Sequence, residues 1–144
     1  MKSRVLVGSL AVMLLLLTGC GGTQTLVCTQ TQEEDGMTMT TEMNVSFQND
    51  EASKFTMTAD MKVDDTYIDY MDQFESIMEE SFSTFEEDGM DVTIESKDTT
   101  ITATVSANFN EMTEDEKEQI GFTSSDNSYD AVKQSLEDSG FTCE

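Results

Sequence analysis

Between Met37 and Val63 apolar and polar side chains alternate residue by residue, and that period admits little but a half-buried antiparallel sheet. Met37, Met39, Thr41, Met43, Val45 and Phe47 take one phase, and Thr38, Thr40, Glu42, Asn44 and Ser46 take the other. After a turn around Asn49-Asp50-Glu51 the pattern repeats. Phe55, Met57, Ala59, Met61 and Val63 now face Lys54, Thr56, Thr58, Asp60 and Lys62 across the strand. A helix would spread these residues over all sides, whereas a strand puts each set on one face. The two runs therefore read as a hairpin. The charges suggest its register: Glu42 opposite Lys62 would attract, and Glu42 opposite Asp60 would repel.

The rest of the chain fits around that hairpin. A shorter strand over Thr25–Gln32 precedes it, across the turn Glu33-Glu34-Asp35-Gly36. From Thr66 to Asp88 the period changes. Tyr67, Tyr70, Met71, Phe74, Ile77, Met78, Phe82 and Phe85 recur at three- and four-residue steps, which predicts an amphipathic helix ended by Gly89. Alternation then resumes. Met90, Val92 and Ile94 point inward, Lys97-Asp98 turns, and Ile101, Ala103, Val105, Ala107 and Phe109 point inward again. Thr113 with Glu116 forms a capping box opening a short helix toward Ile120. A last helix spans Ser128–Asp138, stops near Gly140, and leaves Phe141 and Cys143 in a short terminal segment. The order β-β-β-α-β-β-α-α predicts an α+β domain. Its antiparallel sheet has about five strands, with helices packed on one face.

The N-terminus carries a different signal. Lys2 and Arg4 precede an apolar run from Val5 to Leu17, then Leu17-Thr18-Gly19-Cys20. A charged start, a short apolar stretch and small residues before a cut describe an export signal. The run is too short for a spanning helix, which needs about 20 apolar residues. The cysteine directly after the small residues resembles the lipobox of bacterial lipoproteins. That resemblance implies diacylglyceryl on the Cys20 sulfur, cleavage before it, and Cys20 as the mature N-terminus. Residues 1–19 are then a signal peptide, 20–25 a lipidated cysteine with a short tether, and 26–144 a single domain. The implied location is the extracytoplasmic face of the cell membrane, with the lipid bilayer itself as first partner.

Cleavage removes Lys2 and Arg4 and leaves 5 basic residues against 30 acidic ones, a formal charge of −25. Such a surface repels nucleic acid and favours a basic protein or envelope partner. The mature chain has no His, Arg, Trp or Pro. It therefore lacks the imidazole on which Ser/His and Cys/His catalysis depends, and it lacks the guanidinium that clamps phosphate. With Cys20 acylated, Cys28 and Cys143 remain, and an oxidising compartment predicts a structural disulfide between them.

Candidate sites are few. Met37-x-Met39-x-x-x-Met43 offers soft thioethers suited to Cu(I), but the same face carries Val45, Phe47, Phe55 and Val63, and adaptable core filling explains the methionines. Asp126, Ser128, Asp130 and Glu137 match offsets 1, 3, 5 and 12 of a calcium loop. However, Ala131 stands where glycine is needed, and helix capping by Asn127 or Ser128 explains the segment better. Paired carboxylates could serve a hydrolase, yet with 30 acids such pairs arise by chance. No catalytic residue, metal ligand or cofactor is assigned. Thr38, Thr40, Thr56, Thr58, Thr93, Thr100, Thr102 and Thr104 form a hydroxyl-bearing outer sheet face, either plainly solvated or a contact surface.

Several of these features together are similar to the YehR-like bacterial lipoproteins. They are the lipobox, the Thr-rich opening strands, the central amphipathic helix, the second hairpin, and the closing Leu136-Glu137-Asp138-Ser139-Gly140-Phe141. The family brings no assigned activity, so the resemblance implies architecture and leaves function open. The chain departs from it in its acidity and in the Cys28/Cys143 pair. The expected role is an envelope binding or structural module, with a divalent-cation-binding lipoprotein as the alternative and a carboxylate-dependent hydrolase behind it.

Overall fold

The computed structural model describes residues 22–119 and 127–144. Six strands form one antiparallel sheet in the order β4-β5-β3-β2-β1-β6. They are β1 (Thr23–Glu34), β2 (Met37–Gln48), β3 (Glu51–Val63), β4 (Asp91–Lys97), β5 (Thr100–Asn108) and β6 (Thr142–Cys143). The helices are α1 (Met71–Glu87), entered through a 3₁₀ turn at Asp65–Tyr70, α2 (Glu114–Gln119) and α3 (Tyr129–Asp138). The α+β class and the helix positions agree with the sequence reading. Two strand features differ. The terminal segment becomes a sixth strand, with Cys143 paired to Cys28 on β1, and β1 starts at Thr23, inside what reads as tether.

The register of the β2–β3 hairpin differs from the charge argument. Glu42 lies opposite Thr58, Asp60 opposite Thr40, and Lys62 opposite Thr38. The turn decides this. Only Asn49 and Asp50 separate Gln48 from Glu51, both at positive φ (55° and 63°), the geometry of a tight primed hairpin turn. Glu42 opposite Lys62 would need a longer loop. An exposed ion pair, worth about 0.2–1 kcal/mol, does not outweigh a turn and a core.

The two-residue turn creates a phase problem that the chain corrects at once. Continued unbroken, its register would set Lys54 opposite Val45 and bring a lysine onto the core face. A bulge between Ser46 and Phe47 makes Ser53 the extra residue, so that Val45 meets Phe55. Ser53 remains bonded: its hydroxyl donates to the Ser46 carbonyl (3.1 Å), and its own carbonyl accepts from Phe109 N–H (3.0 Å).

The core lies between the helices and one face of the sheet, in two clusters. Leu26, Cys28, Val45, Phe47, Phe55, Met90, Val105, Phe109 and Val132 form one, under α3 and the end of α1. Ala59, Met61, Val63, Met78, Ile101 and Ala103 form the other, under the start of α1. The inward stripe of α1 is Met71, Phe74, Met78, Phe82 and Phe85. Tyr70 and Ile77, read as inward from the period, are 54% and 51% exposed. The tighter 3₁₀ turn shifts the phase ahead of Met71, and Ile77 lies about 100° around the helix from Met78. Gly89, at φ 80°, ends α1 as expected.

Candidate functional site

Cys28 and Cys143 are at disulfide distance, S–S 2.01 Å, joining β1 to β6 across 115 residues of chain. Cys28 is fully buried against the larger core cluster. Backbone bonds continue the pairing, with Glu144 N–H donating to the Val27 carbonyl at 2.9 Å. The C-terminus is thus held to the sheet edge by two kinds of bond. Leu17, Thr18, Gly19 and Cys20 lie outside the described residues.

The expected hydroxyl face is present and ordered into rows. Thr29, Glu42, Thr58, Thr104 and Thr93 stand abreast across β1, β2, β3, β5 and β4. The next row is Thr31, Thr40, Asp60, Thr102 and Glu95, and beyond it come Glu33, Thr38, Lys62, Thr100 and Lys97. At about 4.8 Å between strands, each row is about 19 Å wide. The Thr102 hydroxyl donates to Asp60 Oδ1 at 2.5 Å, and the Thr31 and Thr40 hydroxyls lie 3.4 Å apart. Both core clusters lie on the opposite face. The rows make a broad platform of hydroxyls and carboxylates with Lys62 and Lys97 at one end, able to hydrogen-bond an extended polar partner.

A concavity of about 150 Å³ opens where the end of α1 meets the β5–α2 connection, lined by Asp88, Asp91, Ser106, Asn108, Glu111 and Glu116 among others. It joins three separate stretches of chain, so no local motif announces it. Its Glu116 carboxylate is already committed. Glu116 Oε2 accepts from Thr113 N–H (2.6 Å) and the Thr113 hydroxyl (2.9 Å), while Glu116 N–H donates back to Thr113 Oγ1 (3.3 Å). This is the capping box read from the sequence, and those hydrogen bonds hold the carboxyl below its ordinary pKa.

The calcium-loop match dissolves into a helix start. Ser128 caps α3, its side chain accepting from Ala131 N–H at 3.4 Å. Glu137 lies 4.0 Å from Lys133 on the same helix, and Asp126 lies outside the described residues. Among the described residues no group of three or more His, Cys, Asp or Glu side chains is placed to hold a metal ion. Among them, too, no helix is long and apolar enough to cross a membrane.

Solved structures share this fold. The YehR protein of E. coli, determined by NMR, superposes with a TM-score of 0.58 at 11% identity, covering 85% of this chain and 92% of that one. A protein from Streptococcus pneumoniae TIGR4, also an NMR structure, gives a TM-score of 0.53 at 14% identity, covering 100% and 97%. The fold is YehR-like. No family model and no curated protein matches the sequence. At such identities the likeness concerns architecture alone.

Proposed function

We propose that this chain is a lipid-anchored protein of the extracytoplasmic membrane face, and that its domain is an envelope binding module for a basic protein partner. Export through residues 1–19 and acylation of Cys20 rest on the sequence Leu17-Thr18-Gly19-Cys20. The disulfide-distance pair Cys28/Cys143 favours an oxidising location. The observation that carries the binding role is the five-strand platform, which lies opposite both core clusters and bears Glu33, Glu42, Asp60 and Glu95 among its hydroxyls. Lys62 and Lys97 share that face, while the whole-chain charge of −23 steers cationic surfaces to the domain as a whole.

Two measurements test this. Intact-mass spectrometry of the native protein should show loss of residues 1–19 and gain of acyl mass, and a chain retaining Met1 without lipid would overturn the anchor. Retention of a basic envelope protein should weaken with salt, and further in E42Q/D60N/E95Q than in the helix-face control E75Q/E79Q/E80Q. Equal weakening in both variants would reduce the platform to bulk charge.

A further inference from the structure

The methionines of the inner face do not behave as one set. Met61 and Met78, at 8% and 5% exposed, fill the core as the sequence suggested. Met39 does not: it is 37% exposed on a strand and stands directly opposite Met61. A half-solvated strand position favours threonine or a β-branched residue, and core filling gives no reason for a thioether at this rim. Met37 lies two residues along the same face, opposite Val63. Both Met37 and Met71, the first residue of α1, pack on the cluster that holds Met61 and Met78. Met37, Met39 and Met61 therefore share one face of the paired strands β2 and β3, with Met61 buried and Met39 open to solvent, and Met71 packs on the same cluster from α1.

We propose that Met37, Met39, Met61 and Met71 form a thioether site for a soft monovalent cation, Cu(I). Directly opposed strand residues have Cβ atoms about 4.5–5.5 Å apart, and the long flexible methionine side chain lets two such sulfurs converge on one ion. Thioethers select Cu(I) over the hard cations that carboxylates prefer. They are neutral and carry no proton to displace, so binding holds its strength where thiolate or imidazole sites weaken with acid. The aromatic pair Tyr67 and Phe74, with ring centroids 6.5 Å apart, packs on the same cluster and supplies π faces beside the ion. The acidic surface raises the local cation concentration outside the site. The proposal rests on the binding-module reading only for its setting outside the cell, where the cysteines are occupied in a disulfide and thioethers remain free.

The test uses the detergent-solubilised full chain, titrated anaerobically with Cu(I) in competition with bicinchoninate. One equivalent should be withdrawn from the chelator, equally at pH 5.5 and pH 7.5. The volume-conserving variant M39L/M61L should lose about tenfold or more in affinity, while M43L/M57L, opposed on the same strands, should keep it. In the wild-type chain, Ag(I) as closed-shell stand-in should shift the ¹³Cε resonances of Met37, Met39, Met61 and Met71 and leave Met43, Met57 and Met112 in place. No withdrawal of Cu(I), or equal affinity in M39L/M61L, overturns the site. Acylation is read separately by mass, so failure of the anchor and failure of the copper site are distinct results.

Discussion

Replacing Cys143 with serine isolates the energetic role of the terminal disulfide. The substitution leaves Cys28, fully buried, as a thiol in the core and so opens no cavity beneath β6. Cys143 itself is only half-buried, which keeps the local cost small. What changes is the unfolded chain, released from a loop of 115 residues. Loop-closure entropy for that length is about 16 cal/mol/K, or about 4–5 kcal/mol at 25 °C. A single small domain has about 5–15 kcal/mol in total, so C143S should lose a large part of its stability. At about 4 °C per kcal/mol for a domain of this size, its midpoint should fall by about 15–20 °C. Urea unfolding followed by far-UV circular dichroism reads the difference, and a freer unfolded state should also raise the m-value. Reductant should destabilise the wild type by a similar amount and leave C143S unmoved. A C143S variant within about 1 kcal/mol of wild type, with the same m-value, would refute the reasoning. The two ends would then be constrained by β6 pairing alone.

Other outcomes follow from single positions. Gly36 and Gly89 both have positive φ (82° and 80°), but a Cβ on Gly36 would meet Asp64 Oδ2 at 2.9 Å, whereas one on Gly89 meets nothing within 4 Å. G89A should cost about 1 kcal/mol by urea titration and G36A clearly more; equal costs would discount the contact. Phe47, fully buried and 5.3 Å from the Tyr129 ring, should cost about 3–5 kcal/mol on truncation to alanine, and a loss below about 1 kcal/mol would place it outside the core. Glu116 is held below its ordinary pKa by the Thr113 hydrogen bonds, so its contribution is present above the unfolded-state pKa and fades as pH falls through the lowered folded value. The Thr113 amide resonance should titrate in that acid window and lose the transition in E116Q; a transition surviving E116Q would assign it to another acid.

The sequence was most readable where one physical requirement acted alone. Alternation over Met37–Val63 needs only the pleat, and the strands are where it places them. The capping box needs only four residues, and Thr113 and Glu116 make it. Legibility failed where two requirements competed. At the hairpin, the Glu42–Lys62 attraction was set against a two-residue turn and the phase of the core, and the turn prevailed with Ser53 as the correcting residue. At α1 the three-four periodicity ran on into a 3₁₀ turn, so Tyr70 kept the spacing of an inward residue without the position, and Ile77, inside α1, lies one residue around the helix from the buried Met78. Strand β6 has two residues, too few for any period, and its pairing depends on Cys28, 115 residues away. The acidic concavity likewise joins Asp88, Ser106 and Glu116 from three stretches.

The methionines show why composition alone misjudges a site. Read as a stripe, Met37, Met39 and Met43 share a face with Val45 and Phe47, and core filling accounts for all of them. In the fold the stripe divides. Met43 meets Met57 beside the larger cluster, while Met39 meets Met61 at a rim open to solvent. Burial supplies the reason for a flexible apolar side chain at Met61 and Met78, and that reason weakens as exposure rises. A thioether at Met39 therefore requires a ligand, a partner or no function at all. Met61 directly opposite it and Met37 two residues along the same face set further thioethers beside it, the donors that a soft cation selects.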